Sequence, residues 1–270
     1  MLLVLKIGGS TLAEGISQDF FKDLKEIYGM ANRIVLVHGG GKEVTEIANK
    51  LGKEQKFIVS PEGFRSRYTD KETAEIYTMV MTGKINKFLV STLLNNGIMA
   101  IGLSGIDGEL AKAERKKRLI IIDERGRKRI IDGGYTGKIT KIKSNLLYTL
   151  LDKGYLPVIA PVAISEEYEP LNVDGDRMAA YIAGSIKADK LIFFTNVKGL
   201  ILDGKTIDKL NIKEAKEILP KIGHGMITKV YAAIEAIEMG VKETIITSGL
   251  EPSPISSSLK GKLGTVISNE

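Results

Sequence analysis

Near the start of the chain stands Leu2-Leu3-Val4-Leu5-Lys6-Ile7-Gly8-Gly9, an apolar run of strand length that is followed at once by glycines. A second such run, Arg33–Val37, leads into His38-Gly39-Gly40-Gly41. Between the two runs, Gln18–Met30 has the spacing of an amphipathic helix. Strands that are apolar throughout are typical of a parallel sheet covered by helices on both faces. The stretch therefore predicts an α/β fold in which two glycine turns lie at the carboxyl edge of the sheet.

The alternation of strand-like and helical segments continues along the chain. Further strands are predicted at Ile98–Leu103, Leu156–Ala160, Lys190–Thr195, Thr244–Thr247 and Gly264–Ile267. Further helices are predicted at Glu43–Leu51, Thr69–Asn95 with a break near Gly83, Asp176–Ile186, Lys213–Leu219 and Met226–Met239. A β-hairpin is predicted from Leu119–Asp123 and Lys128–Asp132, and a surface loop at Pro252–Ser258. No linker is evident, so we predict a three-layer αβα sandwich with a mainly parallel central sheet, one domain over residues 1–270 whose lobes share that sheet.

Composition excludes several classes of protein. The 270 residues are 43% hydrophobic and 27% charged, which is typical of a soluble globular protein. No apolar run reaches the roughly 18–20 residues needed to span a bilayer, and no signal peptide is evident, so we expect a cytoplasmic protein. The absence of Cys excludes disulfides, thiolate zinc sites and Cys nucleophiles. A chain without Cys or Trp but rich in Lys, Glu, Ile and Arg fits a thermophile.

The positive charge is concentrated in one segment. The net charge is +6, but Lys112–Lys143 alone holds twelve Lys/Arg and four Asp/Glu. This local excess of basic residues requires an explanation of its own.

Glycine turns at strand ends can bind anions, because their backbone N–H groups lie open and helix N-termini lie close by. Neither turn here is a GxGxxG motif, so a dinucleotide-binding fold is not favoured. Gly199–Thr206 matches the P-loop spacing, but its intervening residues are bulky and the next helix is predicted to begin only near Asn211. We therefore do not interpret it as a P-loop.

Five short motifs occur in order along the chain. They are Lys6-Ile7-Gly8-Gly9, His38-Gly39-Gly40-Gly41, Asn172-Val173-Asp174-Gly175-Asp176, Thr195-Asn196-Val197-Lys198-Gly199-Leu200 and Gly225-Met226-Ile227-Thr228-Lys229. Together they resemble the amino acid kinase family, specifically its N-acetylglutamate kinase-like branch, over essentially the whole chain. The resemblance implies transfer of a phosphoryl group from ATP to a carboxylate, with residues 1–170 binding the acyl substrate and residues 171–270 binding ATP.

The resemblance also implies roles for individual residues. Lys6 and Lys229 would stabilise the transferring phosphoryl group, and Asp176 would orient the two lysines. The alternative for Asp176 is a helix N-cap, and Asp174 and Asp176 could divide these two tasks. The residues implied in substrate binding are Gly40, Gly41, Arg65 and Asn172, with Arg67 a competitor for the carboxylate-binding task of Arg65 and a surface ion pair the alternative for either.

For the nucleotide, the resemblance implies contacts from both strand ends and from the start of a late helix. The residues are Gly8, Gly9, Thr195, Asn196, Val197, Gly199, Leu200, Gly225 and Met226. Mg²⁺ would be carried by the ATP phosphates. No separate metal site is predicted, because His38 and His224 are far apart in the sequence, and we interpret both as structural.

The basic segment resembles that of kinases acting on 2-aminoadipate or glutamate attached to LysW, an acidic amino-group carrier protein, through the carrier's C-terminal Glu. A basic patch beside the active site would steer an acidic protein partner. The patch residues are Arg115, Lys116, Lys117, Arg118, Arg125, Arg127, Lys128, Arg129 and Lys138. Three alternatives remain: a solvated charged hairpin, a nucleic-acid-binding module, and a kinase of free N-acetylglutamate. A homodimer built through Thr69–Asn95 would fit the family.

Overall fold

The computed structural model describes residues 1–202, 204–223 and 225–270. Its strands are β1 (Leu2–Ile7), β2 (Arg33–His38), β3 (Phe57–Val59), β4 (Arg65–Arg67), β5 (Ala100–Ser104), β6 (Ala111–Arg115), β7 (Arg118–Ile122), β8 (Lys128–Asp132), β9 (Gly137–Ile142), β10 (Leu156–Ala160), β11 (Val162–Ile164), β12 (Pro170–Asn172), β13 (Lys190–Thr195), β14 (Ile201–Leu202), β15 (Lys205–Thr206), β16 (Lys209–Asn211), β17 (Glu243–Ser248) and β18 (Thr265–Ser268). Its α-helices are α1 (Gly9–Glu14), α2 (Gln18–Gly29), α3 (Gly41–Lys50), α4 (Lys71–Thr78), α5 (Asn86–Asn95), α6 (Asn145–Asp152), α7 (Gly175–Ser185), α8 (Ile212–Ile218), α9 (Met226–Glu238) and α10 (Pro254–Leu259).

The centre of the molecule is an eight-stranded sheet in the order β16-β18-β17-β13-β1-β2-β10-β5. Every pairing in it is parallel except β17 with β18. Leu3 and Leu5 of β1 belong to one apolar core, and Val4 belongs to the other. Because alternate residues of a strand point to opposite faces, helices must cover both sides of the sheet. The predicted three-layer α/β fold is confirmed.

Smaller sheets are attached around the carboxyl edge of the central sheet. One has four strands in the order β12-β11-β6-β9, and the predicted hairpin is present as β7 paired antiparallel with β8. A further hairpin, β3–β4, lies beside β7 and was not predicted. Its strands have three residues each, too few to produce a periodic pattern in the sequence.

The helix expected over Thr69–Asn95 differs in detail from its prediction. It begins at Lys71, because the Asp70 side chain accepts a hydrogen bond from Thr73 N and caps the helix. The predicted break near Gly83 is wrong. The chain continues there as a π-helix, Met79–Ile85, and then as α5. The helical pitch therefore changes over the segment that contains Gly83, but the helix does not end there.

The surface loop expected at Pro252–Ser258 is also wrong, because α10 begins within it. The buried carboxylate of Asp23 accepts hydrogen bonds from Ile255 N at 2.6 Å and Ser256 N at 3.0 Å. A side chain 232 residues away thus satisfies the free N–H groups at the helix start. Local sequence could not indicate such a cap.

The segment with P-loop spacing adopts an antiparallel pair, β14 with β15, in which Leu202 lies opposite Lys205. Asp203, within that segment, lies outside the described residues. The next helix, α8, has Asn211 as its N-cap in a capping box with Glu214, as expected for Asn211. Lys205 and Thr206 therefore do not open a helix, and the segment is not a P-loop. Among the described residues no helix is long and apolar enough to cross a membrane.

Candidate active site

The two glycine turns lie against each other at the ends of β1 and β2. Gly8 N donates to Phe194 O at 3.0 Å, and Gly39 N donates to Ile7 O at 2.8 Å. A Cβ on Gly39 would lie 2.7 Å from Gly9 N, and one on Gly40 would lie 2.1 Å from Ile85 Cδ1. Gly40 also has a φ of +150°, which side chains rarely allow. Glycine is therefore required for this close approach of backbone to backbone.

Lys6, Asp176 and Lys229 meet at these turns from three separate elements. Lys6 Nζ lies 2.6 Å from Asp176 Oδ1, and Lys229 Nζ lies 3.1 Å from Asp176 Oδ2. Lys6 comes from β1, Asp176 from the first turn of α7 and Lys229 from α9. The side chains of Lys6 and Asp176 are only 7% and 5% exposed. The structure thus brings together the three residues expected to be catalytic.

The electrostatics of this group favour one ionised carboxylate between two ammonium groups. Burial opposes the charge of Asp176, but Lys6 and Lys229 outweigh it and hold the pKa of the carboxyl well below its usual range. Burial also opposes the charge of Lys229, yet Asp176 raises its pKa. The pKa of Lys6 is lowered, since burial outweighs the attraction of Asp176. The two lysines share a single carboxylate at the glycine turns, where an added anion would be stabilised.

Asp174, and not Asp176, caps helix α7. Its Oδ1 accepts from Arg177 N at 2.9 Å, whereas Asp176 is committed to the lysines. The N-cap alternative for Asp176 is therefore wrong. Burial and the neighbouring Asp176 raise the pKa of Asp174. Thr228, which sequence reasoning missed although it precedes Lys229, donates a third contact to Asp176 at 3.2 Å.

A cavity of about 530 Å³ opens in front of this group, and we call it the central cavity. Of the residues expected in the site, it is lined by Lys6, Gly9, Gly40, Gly41, Arg65, Asn172, Asp176 and Lys116. Its outer wall includes Phe57 of the β3–β4 hairpin and Ile120 of the β7–β8 hairpin, so both hairpins overhang it.

Arg65 and Arg67 project from the same short strand but have different partners. Arg67 is buried and donates to Gly41 O at 2.7 Å and Thr45 Oγ1 at 2.9 Å, so it supports the second glycine turn. The guanidinium carbon of Arg65 lies 4.2 Å from the ring centre of Phe57. Neither Arg forms an ion pair among the described residues. Arg65 is the one whose N–H groups remain available in the central cavity.

Asn172 is held at the floor of the central cavity by its neighbours. Its Nδ2 donates to Thr69 Oγ1 at 2.9 Å, and its backbone N donates to Tyr135 O. One side-chain oxygen therefore remains to accept a hydrogen bond from a ligand.

The residues expected to bind the nucleotide form a second group, around the ends of β1 and β13. Thr195 Oγ1 accepts from Val197 N at 3.0 Å, and Leu200 N donates to Thr265 Oγ1 at 2.8 Å. A Cβ on Gly199 would lie 2.8 Å from that same oxygen. The remaining members are Asn196, whose amide donates to Glu14, Gly8 and Gly9 beside them, and Gly225 and Met226 at the start of α9.

The expected basic patch is not one uniform surface. Arg115 lies 4.1 Å over the Tyr135 ring and is paired with Glu169, while Arg127 and Arg129 are paired with Asp123. Lys116 lines the central cavity. The exposed members that form no ion pair among the described residues are Lys117, Arg118, Arg125, Lys128 and Lys138.

Sequence reasoning missed a connection between α7, α9 and the β3–β4 hairpin. Arg177 of α7 donates to Glu235 of α9 through two nitrogens, and its guanidinium lies 5.6 Å from the Tyr231 ring. Tyr231 in turn contacts Phe64 edge to face at 5.7 Å. These residues are separated widely in the sequence and carry no motif, so no local signal could have found them.

His38 lies buried behind the second glycine turn. Its Nδ1 donates to Gly39 O at 2.8 Å, and its Nε2 accepts from Asn86 Nδ2 at 3.3 Å. Burial lowers the pKa of His38 to about 4, so the ring is neutral at pH 7. Its contacts are with the fold alone, while His224 lies outside the described residues.

Comparisons with known proteins identify the family of this chain. The model of the amino acid kinase family matches residues 1–248. A putative LysW-aminoadipate/LysW-glutamate kinase of Nitrosopumilus maritimus is 53% identical over 269 residues, covering 100% of both chains. The LysW-aminoadipate/LysW-glutamate kinase of Sulfolobus acidocaldarius is 48% identical over 98% of this chain and 100% of its own. A crystal structure of a Streptococcus mutans protein superposes with a TM-score of 0.81 at 25% identity, over 100% of this chain and 99% of that one. With its glycine turns, its buried lysine pair and these relatives, the chain belongs to the amino acid kinase family.

Proposed function

We propose that this protein transfers a phosphoryl group from ATP to the side-chain carboxylate of 2-aminoadipate, glutamate or both, carried on LysW. The product would be an acyl phosphate on a route to lysine or arginine. The observation that carries the phosphoryl transfer is the Lys6–Asp176–Lys229 group at the glycine turns. The names of the relatives at 53% and 48% identity support the carrier-bound substrate.

The reaction requires positive charge at the right position and no general base. A carboxylate with a solution pKa of about 4 is already ionised at pH 7. Its oxygen forms the new bond to the γ-phosphorus while the bond from that phosphorus to the ADP oxygen breaks. No proton moves in this step, so it needs no general base. What limits the reaction is the repulsion between two anions and their alignment.

The residues of the site suit that task. We propose that Lys6 and Lys229 stabilise the negative charge on the transferring phosphoryl group, and that Asp176 keeps both lysines in place. The N–H groups of Gly40 and Gly41 would donate to the phosphoryl or acyl oxygens. Arg65 would bind the α-carboxylate through parallel hydrogen bonds, and Asn172 would accept from the substrate amide.

For the nucleotide, we assign the second group of residues, which lies around the ends of β1 and β13. All of its members except Gly8 and Gly9 belong to the lobe of residues 171–270. The start of α9 fits nucleotide phosphates, because Gly225 leaves open space there and its carbonyl oxygen lies 3.4 Å from Lys229 Nζ. Asp174 caps a helix and Asp176 binds the lysines, so we propose that Mg²⁺ arrives held by the ATP phosphates. Mg²⁺ there would offset phosphate charge during transfer.

We further propose a cytoplasmic homodimer that pairs through α4, the π-helix and α5. Large apolar side chains lie exposed on these segments, including Met79 at 58% and Phe88 at 67%. Burying such residues against a second copy would remove apolar area from water.

A direct assay separates the proposed substrate from free N-acetylglutamate. Purified enzyme and ATP would be incubated with LysW bearing glutamate, LysW bearing aminoadipate, or N-acetylglutamate, and acyl phosphate would be trapped with hydroxylamine. We expect hydroxamate on a carrier-borne substrate and far slower turnover of the free one. Comparable or faster turnover of N-acetylglutamate would favour the second candidate function, a kinase of free N-acetylglutamate. The central cavity alone fits that function as well.

A nucleic-acid partner is not favoured by the contacts of the basic segment. The guanidinium of Arg115 covers the face of Tyr135, the aromatic ring nearest the basic run, so a base could not stack on that face without displacing it. Competition between LysW and RNA for the protein would test this, and we expect LysW to displace bound RNA.

A further inference from the structure

The central cavity holds more positive charge than the predicted reaction accounts for. Its lining includes the cations Lys6, Arg65, Arg67, Lys116 and Arg177. Lys6 is paired with Asp176, Arg177 with Glu235, and Arg67 with backbone and hydroxyl acceptors. Among the described residues this leaves two lining cations with neither an acidic partner nor a hydrogen-bond acceptor. They are Arg65 and Lys116.

The position of Lys116 is fixed by its backbone. Its N–H donates to Thr136 O at 2.9 Å, and a Cβ on Gly133 would lie 1.5 Å from its carbonyl oxygen. The Gly133–Gly134 turn thus packs directly against Lys116 and holds it at the wall of the cavity. Glycine is needed at position 133 for this close packing.

The surroundings of the Lys116 ammonium do not neutralise it. Burial, Arg177 and Lys138 each lower its pKa, and the attraction of Asp174 opposes them only in part. Lys116 lines the central cavity together with Arg177 and Asp174, and it also borders an outer depression lined by Glu166, Glu167 and Glu169, with none of which it forms an ion pair. A half-buried cation without a partner is costly unless an anion comes to it.

We propose that Lys116 binds a second non-reacting carboxylate of the substrate, one that belongs to the carrier side of the amide. This inference rests on the proposed function. A glutamate at the end of a carrier has two carboxyl groups, and joining one of them to the amino acid leaves the other free. Arg65 binds the carboxylate of the amino acid itself, and Lys116 binds the carboxylate of the carrier residue. Free N-acetylglutamate has a methyl group at that point, so Lys116 determines specificity for the carrier-borne substrate.

This assignment separates Lys116 from the exposed basic residues around it. Lys117 is the next residue and carries the same charge, but it is exposed and does not line the central cavity. It can act only on the approach of the carrier, through long-range attraction that salt screens. A contact made by Lys116 inside the cavity is screened much less.

The test compares two carrier-borne substrates that differ in one group. LysW bearing glutamate would be prepared with the remaining carboxylate of the linking residue either free or converted to a carboxamide. The kcat/KM would be measured at about 0.5 M salt, where the Debye length is only about 4 Å, for the wild-type enzyme, Lys116→Met and Lys117→Met. Wild type and Lys117→Met should prefer the free carboxylate by about 10- to 100-fold. Lys116→Met should lose this preference through KM, so that it uses the carboxylate and the carboxamide substrates about equally.

The outcomes distinguish this inference from the proposed function. If the wild-type enzyme phosphorylates only free N-acetylglutamate, the proposed function fails. If it uses the carrier but does not distinguish carboxylate from carboxamide, or if Lys116→Met keeps the preference, the role of Lys116 is refuted. Equal losses in Lys116→Met and Lys117→Met would likewise overturn it and leave a general charge effect.

Discussion

At the scale of single residues, the site depends on one carboxylate that serves two lysines. Asp176 is ionised although it is buried, because Lys6 and Lys229 flank it within 3.1 Å. Removing one lysine leaves a neutral buried pair, whereas removing Asp176 leaves two buried cations that repel each other. The second change should therefore disturb the fold far more than the first.

The substitution Asp176→Asn tests how much this buried carboxylate stabilises the fold. We expect it to lower the free energy of unfolding by about 3–5 kcal/mol, the usual cost of removing one partner of a buried ion pair. Urea unfolding at pH 7 would measure the loss, with Asp19→Asn as the control, since Asp19 forms only an exposed i,i+3 pair. Equal stability of the two variants would contradict the structure of the site.

The pKa of His38 gives a pH dependence with a definite sign. Its folded value of about 4 lies below the ordinary 6.5, so the unfolded chain takes up a proton first as the pH falls. The contribution of His38 to the free energy of unfolding is fully present above pH 6.5. It decreases as the pH falls toward 4, by about 3 kcal/mol at most. Unfolding free energies of wild type and His38→Gln across that range would measure it, and an unchanged pH slope in the variant would refute the assignment.

At the scale of secondary-structure elements, the π-helix sets the position of the second glycine turn. Ile85 and Met81 of this segment close over Gly40, where a Cβ would lie 2.1 Å and 3.1 Å from their nearest atoms. Sequence alone predicted the turn and the long helix but not their contact, because a short π-helical segment changes the apolar spacing too little to be recognised. The hairpin β3–β4 and helix α10 were missed for similar reasons, one being short and the other capped from a distance.

Two alanine substitutions on these elements should have opposite effects. Gly40→Ala places a methyl group into Ile85 at an unfavourable φ, so we expect lower stability and at least a hundredfold loss of kcat. Gly83→Ala meets no atom within 4 Å and has no positive φ, so it should stabilise the protein by about 0.4–1 kcal/mol. Thermal unfolding and steady-state kinetics of both variants would test these two expectations. A harmless Gly40→Ala would contradict the packing described here.

At the scale of the whole molecule, the fold and the distribution of charge have separate roles. The sequence predicted a mainly parallel central sheet but not its strand order, and that order brings the ends of β1, β2 and β13 to one edge. The sequence also located the basic excess, but it could not tell which cations were already paired. Arg115, Arg127 and Arg129 have acidic partners, so the free charge lies on fewer residues than composition suggested.

That remaining charge should make carrier use sensitive to salt. Raising the ionic strength from about 0.05 to 0.5 M should increase KM for carrier-borne glutamate by roughly tenfold and leave KM for ATP nearly unchanged. The double reversal Arg125→Glu/Lys128→Glu should weaken carrier use and flatten this dependence. Lys213→Glu/Lys221→Glu, near the edge strand β16, is the control of equal charge change. An identical effect of both pairs would exclude local steering.

The turnover of Lys229→Ala tests most directly whether phosphoryl transfer takes place at the lysine pair. Carrier-borne glutamate and ATP would be supplied at saturation, and the acyl phosphate trapped with hydroxylamine, for wild type, Lys229→Ala and the exposed-residue control Lys216→Ala. Lys229→Ala should keep the folded structure and lose about a hundredfold or more in kcat, because a charge aimed at the transferring group is removed. Near-normal turnover by folded Lys229→Ala would contradict the placement of the reaction at this lysine pair.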